Sequence, residues 1–244
     1  MYSFRTTLGP VDLAFTDRFG GVSGVPFDSL NLSIEGDDAP DARAENLRLV
    51  LGDFAPGDRL AELHQVHGCS VVSVGSEEPP HRPDADALVT DQAGVVLVVR
   101  AADCVPVLLA DPASGVVGAA HAGRPGLAAG VVLHTVERMR ALGATDLTAW
   151  VGPHVCGSCY EVPAALQAEV AAVEPAARAT TSWGTPSLDL GAGVRAQLER
   201  LGVTVIDAAR CTRESSDLFS YRRDGRDAGR LAGLVRLRAG GAAA

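Results

Sequence analysis

Three side chains in this sequence could do chemistry together: Cys104, His121 and His67. Taken singly, each has an ordinary structural explanation. A cysteine at the mouth of an apolar run packs as a small hydrophobe, and a lone histidine is usually a satisfied core or turn residue. Together they form a Cys/His/His set. Zinc bound by three protein ligands keeps its fourth position for water or substrate, which is the catalytic arrangement. The intervals between 67, 104 and 121 are far longer than those of a structural zinc finger, so the residues leave both readings open. The same side chains also allow a metal-free hydrolase, with Cys104 as nucleophile and His121 as base, acting on an amide such as a peptidoglycan-derived peptide. Copper is a third reading, since cysteine and imidazole bind it. Several copper centres would, however, need many more histidines than the six present. Asp103 adjoins Cys104 and could orient a ligand or move protons. An extended backbone would point the two to opposite faces, and a structural cap is the alternative role for Asp103.

The elements that must position these residues follow from the hydrophobic pattern. Val95–Arg100 and Val105–Ala110 are continuous apolar runs, read as buried strands. Asp111-Pro112-Ala113-Ser114-Gly115 is a turn cluster. Val116–Ala120 is the next strand, with His121 at its end. Gly123 and Gly126 then open a predicted helix that continues to Leu142, with Gly143 as its C-cap. A glycine-rich helix start favours anions, and Arg124 there could grip phosphate oxygens. Leu63–Val72 reads as extended, with a break after His67. In such a segment His64 and Val66 face one way, Gln65 and His67 the other.

The rest of the chain alternates strands, loops and helices. Residues 1–35 read as strands and turns, with a shaped Gly-rich loop at Phe15–Gly24. Asp38-Ala39-Pro40-Asp41 starts a helix that Gly52 is predicted to end. Leu147–Val151 is a strand, followed by a loop that carries Cys156-Gly157-Ser158-Cys159. This is a single C-x-x-C. A zinc ribbon needs a second pair, and none stands in the sequence, so a redox dithiol is its remaining reading. Helices are expected from Pro163 to Val173 and from Ser187-Leu188-Asp189-Leu190 to Leu201. Val203–Ile206 and Leu231–Leu237 are strands, Phe219–Gly225 is a loop, and the tail from Ala239 is expected to fray. His81 and His134 read as surface residues, and His154 lies in a different loop from the triad. No G-x-G-x-x-G follows a strand, so no dinucleotide fingerprint is present.

Bulk properties narrow the class. The chain has 244 residues, no internal repeat and no long linker, which suits one domain over residues 1–244. A net charge of −9 and an aromatic content of 5% argue against a nucleic-acid surface. No apolar run reaches the ~18 residues of a membrane span. Five cysteines, an odd number, and the absence of an export signal point to a reducing, cytoplasmic setting. A monomer is favoured.

Read together and in order, the motifs resemble one family: the purine nucleoside phosphorylases formerly called multicopper polyphenol oxidases, or laccase-domain proteins. The motifs are Gln65-Val66-His67-Gly68, Asp86-Ala87-Leu88-Val89-Thr90, Ala102-Asp103-Cys104-Val105-Pro106, His121-Ala122-Gly123, Gly152-Pro153 with Cys159-Tyr160-Glu161-Val162, Cys211-Thr212, and Phe219–Gly225 with Gly229-Arg230. The N-terminal Arg18–Ser23 and Asn31-Leu32 also fit.

The resemblance implies a single α/β (α+β) domain of mixed sheets in a four-layer α/β/β/α sandwich, with a zinc triad on His67, Cys104 and His121. It implies phosphorolysis of adenosine, inosine, guanosine and methylthioadenosine, plus deamination of adenosine. Purine nucleosides and phosphate are then the partners. Arg124, Arg222 and Arg223 are the candidates for phosphate, Gln65 for substrate contact, and Asp103 for an accessory role. The family also carries copper-oxidase naming and a link to peptidoglycan-precursor editing. A non-enzymatic partner of wall-synthesis proteins is therefore a further alternative. Two departures stand out. The family's usual His-Ala-Gly-Trp-Arg-Gly is His121-Ala122-Gly123-Arg124-Pro125-Gly126 here. Of its two adjacent cysteines before the tyrosine, the first is replaced by Ser158.

Overall fold

The long apolar strands are buried along their whole length, and successive side chains enter different cores, which shows how the layers stack. In a computed structural model, which describes residues 1–75 and 82–239, the chain opens with a hairpin of β1 (Tyr2–Leu8) and β2 (Val11–Thr16). Helix α1 (Pro40–Phe54) follows, then β3 (Arg59–Ala61), β4 (Val71–Ser73), β5 (Ala87–Thr90) and β6 (Val95–Ala101). β7 (Val105–Asp111) and β8 (Val116–Ala122) form a second hairpin. After them come α2 (Arg124–Ala128), α3 (Val131–Ala141), β9 (Thr148–Val151) and α4 (Ala164–Val173). The small hairpin β10 (Arg178–Thr180) and β11 (Pro186–Leu188) precedes α5 (Leu190–Arg200), β12 (Thr204–Asp207), α6 (Tyr221–Asp224) and β13 (Leu231–Leu237).

Two mixed sheets face each other. One has strand order β1-β2-β13-β6-β3, the other β12-β9-β7-β8-β5-β4. On β6, Val95, Leu97 and Val99 enter the core between the sheets, whereas Val96 and Val98 pack against α1. On β7, Leu108 and Ala110 face the same inter-sheet core, whereas Val105, Val107 and Leu109 face the helices α3 and α5. Both faces of these strands are thus buried, which is why they read as unbroken apolar runs. The layers are α1, sheet, sheet, then α2 to α5: the four-layer α/β/β/α sandwich of a single domain. No helix among the described residues is long and apolar enough to cross a membrane.

Several local expectations are corrected. The helix expected over Gly126–Leu142 is two helices, because Gly130 takes φ +81° and turns the chain between α2 and α3. Gly52 does not end α1. The helix continues to Phe54, whose ring is fully buried against the first sheet. Of the extended stretch expected over Leu63–Val72, only its end belongs to a strand, Val71–Ser73. His67 sits at φ +59° in an irregular crossing from one sheet to the other. The loop expected at Phe219–Gly225 contains α6, whose N-cap Ser220 accepts from the Arg223 N–H at 3.2 Å. His81 and the tail from residue 240 lie outside the described residues.

Candidate metal centre and its cavity

The site forms at one edge of the sandwich, where the chain twice passes from one sheet to the other. β6 and β7 belong to different sheets, so residues 102–104 bridge them; β3 and β4 do the same, so His67 lies on a second bridge. Backbone leaving a ladder frees its side chains to converge on the gap. His121 arrives differently. On β8, Val117 and Ala119 face the inter-sheet core, and by strand alternation His121 is next in that row. Its cross-strand neighbour is Pro106, two residues beyond Cys104.

The outcome is a cluster in which one donor atom from each of His67, Cys104 and His121 lies within 4.8 Å of the others. The two imidazoles meet edge to face, with centroids 4.9 Å apart. His121 is buried, Cys104 half-buried and His67 exposed toward the cavity. Packing around them is tight: a Cβ on Gly123 would fall 2.8 Å from His67 Cδ2 and 3.2 Å from Cys104 Sγ.

Asp86 organises this cluster. Its carboxylate, fully buried, accepts from the backbone N–H groups of Val66, His67 and Gly68 at 3.2, 3.0 and 2.6 Å. It also accepts from His121 Nδ1 at 2.8 Å. A carboxylate can only accept, so Nδ1 carries a proton, and Nε2 is the ring nitrogen left for Cys104 or, once deprotonated, for a metal. The three amide contacts stabilise the left-handed turn that His67 would otherwise avoid. Burial raises the Asp86 pKa, but the His121 hydrogen bond and the backbone amides outweigh it and leave it below the usual carboxylate range.

Electrostatics couple the thiol to the imidazole. Burial alone would keep Cys104 neutral. The charge of His121 and hydrogen bonds from His121 and His67 overcome that and bring the thiol down to about 6. Burial likewise opposes charge on His121, yet the Cys104 thiolate and Asp86 raise it to about 9. With no metal bound, the pair is a thiolate–imidazolium couple at neutral pH. The donor set fits a transition metal: a soft thiolate, two imidazoles and a carboxylate behind one of them.

The cluster opens into a cavity of about 640 Å³, within the ~300–1,000 Å³ of small-molecule sites. Gln65, Arg100, Asp103, Val155, Tyr160, Tyr221, Arg222 and Arg230 are among its lining residues. Gln65 reaches it, but both ends of its amide are engaged by the Arg100 backbone, each at 2.8 Å. Asp103 takes φ +88° and turns its carboxylate away from Cys104. It accepts from Thr212 Oγ1 at 2.5 Å, Ser220 Oγ at 2.7 Å and the Arg222 N–H. Its role in the fold is therefore the cap, tying the sheet crossing to two distant loops.

The arginines separate. Arg222 lines the cavity and lies over the Tyr160 ring, 4.8 Å from its centroid. Arg223 is not brought to the cavity: its guanidinium donates to the carbonyls of Thr212, Ser215 and Leu218 at 2.9, 3.0 and 2.7 Å. Arg124 begins α2, half-buried and outside the cavity lining. Burial and the charge of Cys104 push the Tyr160 phenol up, opposed by Arg222 and Arg124, so the Arg124 charge does reach the site's edge.

Arg230 and Arg100 are lining residues that the sequence reading did not single out as site residues. Arg100 is 6% exposed and pairs with Glu62, while its Nη1 is buried without a hydrogen-bond partner among the described residues. Burial pushes the Arg230 guanidinium down, opposed by Cys104 and Asp103. Asp86 was visible only as part of a motif. A carboxylate directly before the apolar run Ala87–Val89 was the available signal, since an ionised group there needs partners.

The remaining histidines stand apart. His64 is exposed and pairs with Asp84 at 2.7 Å. His134 Nδ1 lies 3.2 Å from the Cys69 carbonyl. His154 is buried with Nδ1 2.8 Å from the Gly152 carbonyl.

A family model described as multi-copper polyphenol oxidoreductase laccase matches residues 12–238. A Streptomyces coelicolor protein named purine nucleoside phosphorylase is 53% identical over 246 residues, covering 97% of this chain and all of the relative. A Corynebacterium glutamicum protein of the same name is 44% identical, covering 93% of this chain and 95% of the relative. Among solved structures, a Neisseria meningitidis protein superposes with a TM-score of 0.86 at 34% identity, covering 97% of this chain and 99% of its own. YlmD from Geobacillus stearothermophilus gives 0.83 at 30%, with coverage of 94% and 93%. These matches run through nearly the whole length, crossings and site included, and the chain belongs to the multi-copper polyphenol oxidoreductase laccase family.

Proposed function

We propose that this protein is a metal-dependent purine nucleoside phosphorylase that also deaminates adenosine. The observation that carries the reading is the His67–Cys104–His121 cluster at the base of a cavity walled by Arg100, Arg222 and Arg230. The naming of the relatives supports it. Adenosine, inosine, guanosine and methylthioadenosine are the proposed nucleosides. Zinc is the proposed metal; the same donors would accept copper, and elemental analysis separates the two.

Zinc held by His67, Cys104 and His121 Nε2 would supply a Lewis acid that activates water near neutral pH. The protein's own residues do the rest. Asp86 fixes the His121 tautomer and the His67 turn. Arg222 and Arg230 face the cavity with charges suited to phosphate oxygens, and the unpartnered Arg100 Nη1 offers one further donor. Tyr160 and Tyr221 supply ring surface for a flat base. In phosphorolysis a phosphate oxygen bonds to C1′ of the ribose while the C1′–N9 bond breaks and the purine takes up a proton. In deamination water adds at C6 and ammonia leaves. The five cysteines are all unpaired, which supports a reducing, cytoplasmic setting, and a monomer is the proposed state.

A second reading is favoured by the thiolate–imidazolium couple: a cysteine hydrolase with Cys104 as nucleophile. One experiment separates them. Purified protein is analysed for metals and then incubated with adenosine, with and without phosphate. The expected result is zinc in the protein, adenine and ribose 1-phosphate only when phosphate is present, and inosine in both. Metal-free protein that turns over neither reaction would overturn the proposal in favour of the hydrolase.

A further inference from the structure

A C-x-x-C needs a second pair to make a closed zinc site, and the fold brings one to Cys156-Gly157-Ser158-Cys159. The parallel pairing of β9 with β12 continues past both strands. The Ala208 N–H donates to the Val151 carbonyl at 3.0 Å, His154 N–H to Arg210 at 3.1 Å, and Thr212 N–H to His154 at 3.0 Å. That register sets Cys211 beside His154 and lays Cys211-Thr212-Arg213-Glu214 against the C-x-x-C. The three Sγ atoms and a Glu214 carboxylate oxygen all lie within 4.8 Å of one another. Cys159 Sγ donates to Glu214 Oε1 at 3.3 Å. Each half is a tight turn: the Cys156 carbonyl accepts from the N–H groups of Cys159 and Tyr160, both at 3.0 Å, and the Cys211 carbonyl from Ser215 at 3.0 Å.

We propose that Cys156, Cys159, Cys211 and Glu214 form a second metal site, a closed tetrahedral zinc centre that staples two loops of the cavity wall. Three thiolates and one carboxylate suit zinc and exclude magnesium and calcium, which take oxygen ligands. Zinc–sulfur bonds of ~2.3 Å set ligand atoms about 3.8 Å apart. The observed spacing reaches that with a small contraction, and only Cys159 of the four is fully buried. Binding releases the thiol protons to solvent and requires no oxidant. Arg213, held over the Trp183 ring at 5.1 Å, lies within the second loop and offsets its negative charge. The staple has a direct consequence for the first site. Cys159 is followed by Tyr160, which lines the cavity, and Cys211 by Thr212, which holds Asp103 beside Cys104.

The full-length protein is purified anaerobically with a reductant and zinc, and its zinc is counted. The wild type is expected to hold two equivalents, Cys104→Ser one, Cys159→Ser one, and the double variant none. With cobalt in place of zinc, Cys104→Ser is expected to keep an intense thiolate-to-cobalt charge-transfer band that the double variant loses. If Cys159→Ser does not fold, Glu214→Gln, an exposed change, replaces it. A chelator should then extract the second zinc faster by about tenfold or more, since even outer-shell changes have effects of that size. A wild type with one zinc that Cys104→Ser abolishes overturns the proposal. A disulfide among Cys156, Cys159 and Cys211 in protein kept under reductant overturns it too, as does unchanged extraction in Glu214→Gln.

Discussion

Asp86 and His121 are joined twice: His121 Nδ1 donates to the Asp86 carboxylate at 2.8 Å, and the His121 N–H donates to the Asp86 carbonyl at 2.7 Å. The first bond fixes the imidazole's rotation and tautomer, and the second locks the strand register that carries it. The same carboxylate caps the turn at His67, so one side chain outside the His67–Cys104–His121 cluster positions two of its three members.

Asp86→Asn is therefore expected to lower zinc affinity about 10–100-fold, the usual size of such outer-shell effects. An amide nitrogen would also face N–H donors at His67 or Gly68, leaving buried groups unsatisfied at ~1–3 kcal/mol each. Chelator competition measures the first effect and thermal unfolding the second. Unchanged zinc affinity would sink the assigned role.

The pH dependence of Cys104 follows from its coupling to His121. In metal-stripped protein the thiol sits at about 6 and the imidazole at about 9. Alkylation of Cys104 should rise as pH climbs through about 6 and then level off, whereas an ordinary thiol rises only near 8.5. Below about 6 the thiolate is protonated and the rate falls. Bound zinc should suppress labelling across the range. A midpoint above 8 in the stripped protein would show that the two histidines do not stabilise the thiolate.

The arginines differ in place and should differ in effect. Arg222→Ala is expected to raise the KM for phosphate about tenfold or more while leaving deamination, which uses water, nearly unchanged. Arg124→Ala should do the same more weakly, because Arg124 starts α2 outside the cavity lining. Steady-state assays of both reactions decide it. Equal loss of both activities in Arg222→Ala would mean that it holds the purine or the wall instead.

Zinc content should single out the triad. Cys104→Ala is expected to lose the metal of that site and all activity without unfolding, since the cavity edge is not the core. His64→Gln, His134→Gln and His154→Gln should each retain that zinc, because His64 and His134 are exposed and His154 faces the Gly152 carbonyl. Metal lost in His64→Gln would show that the Leu63–Gly68 crossing has a different geometry in solution.

Gly123→Ala probes the packing around the cluster. The added Cβ would meet His67 Cδ2 at 2.8 Å, closer than real contacts allow, so the ring or the loop must shift. Weaker zinc binding with an unchanged folded core is expected, read by chelator competition alongside circular dichroism.

The sequence by itself determined the long apolar strands of this protein and most of its helices, but not the short strands such as Arg59–Ala61 or Pro186–Leu188. Short β-branched runs such as Val95–Val99 and Val105–Leu109, bounded by turn residues, read as strands buried on both faces, and the apolar run Leu231–Leu237 bounded the final strand. It also singled out Cys104, His67 and His121 as candidates, reactive types beside apolar runs, and the fold brings a donor atom of each within 4.8 Å of the others. Tertiary structure decided what those residues meet. His67 lies in a left-handed turn that no local preference predicts, since its stabilisation comes from Asp86, 19 residues away. Arg222 and Arg223 are neighbours of one type, yet one lines the cavity and the other holds carbonyls of residues 212–218. Cys211 finds the C-x-x-C only through the parallel register of β9 and β12. Local pattern fixes an element's period and type, but convergence depends on how elements from opposite sheets are stacked, and that stacking is long-range.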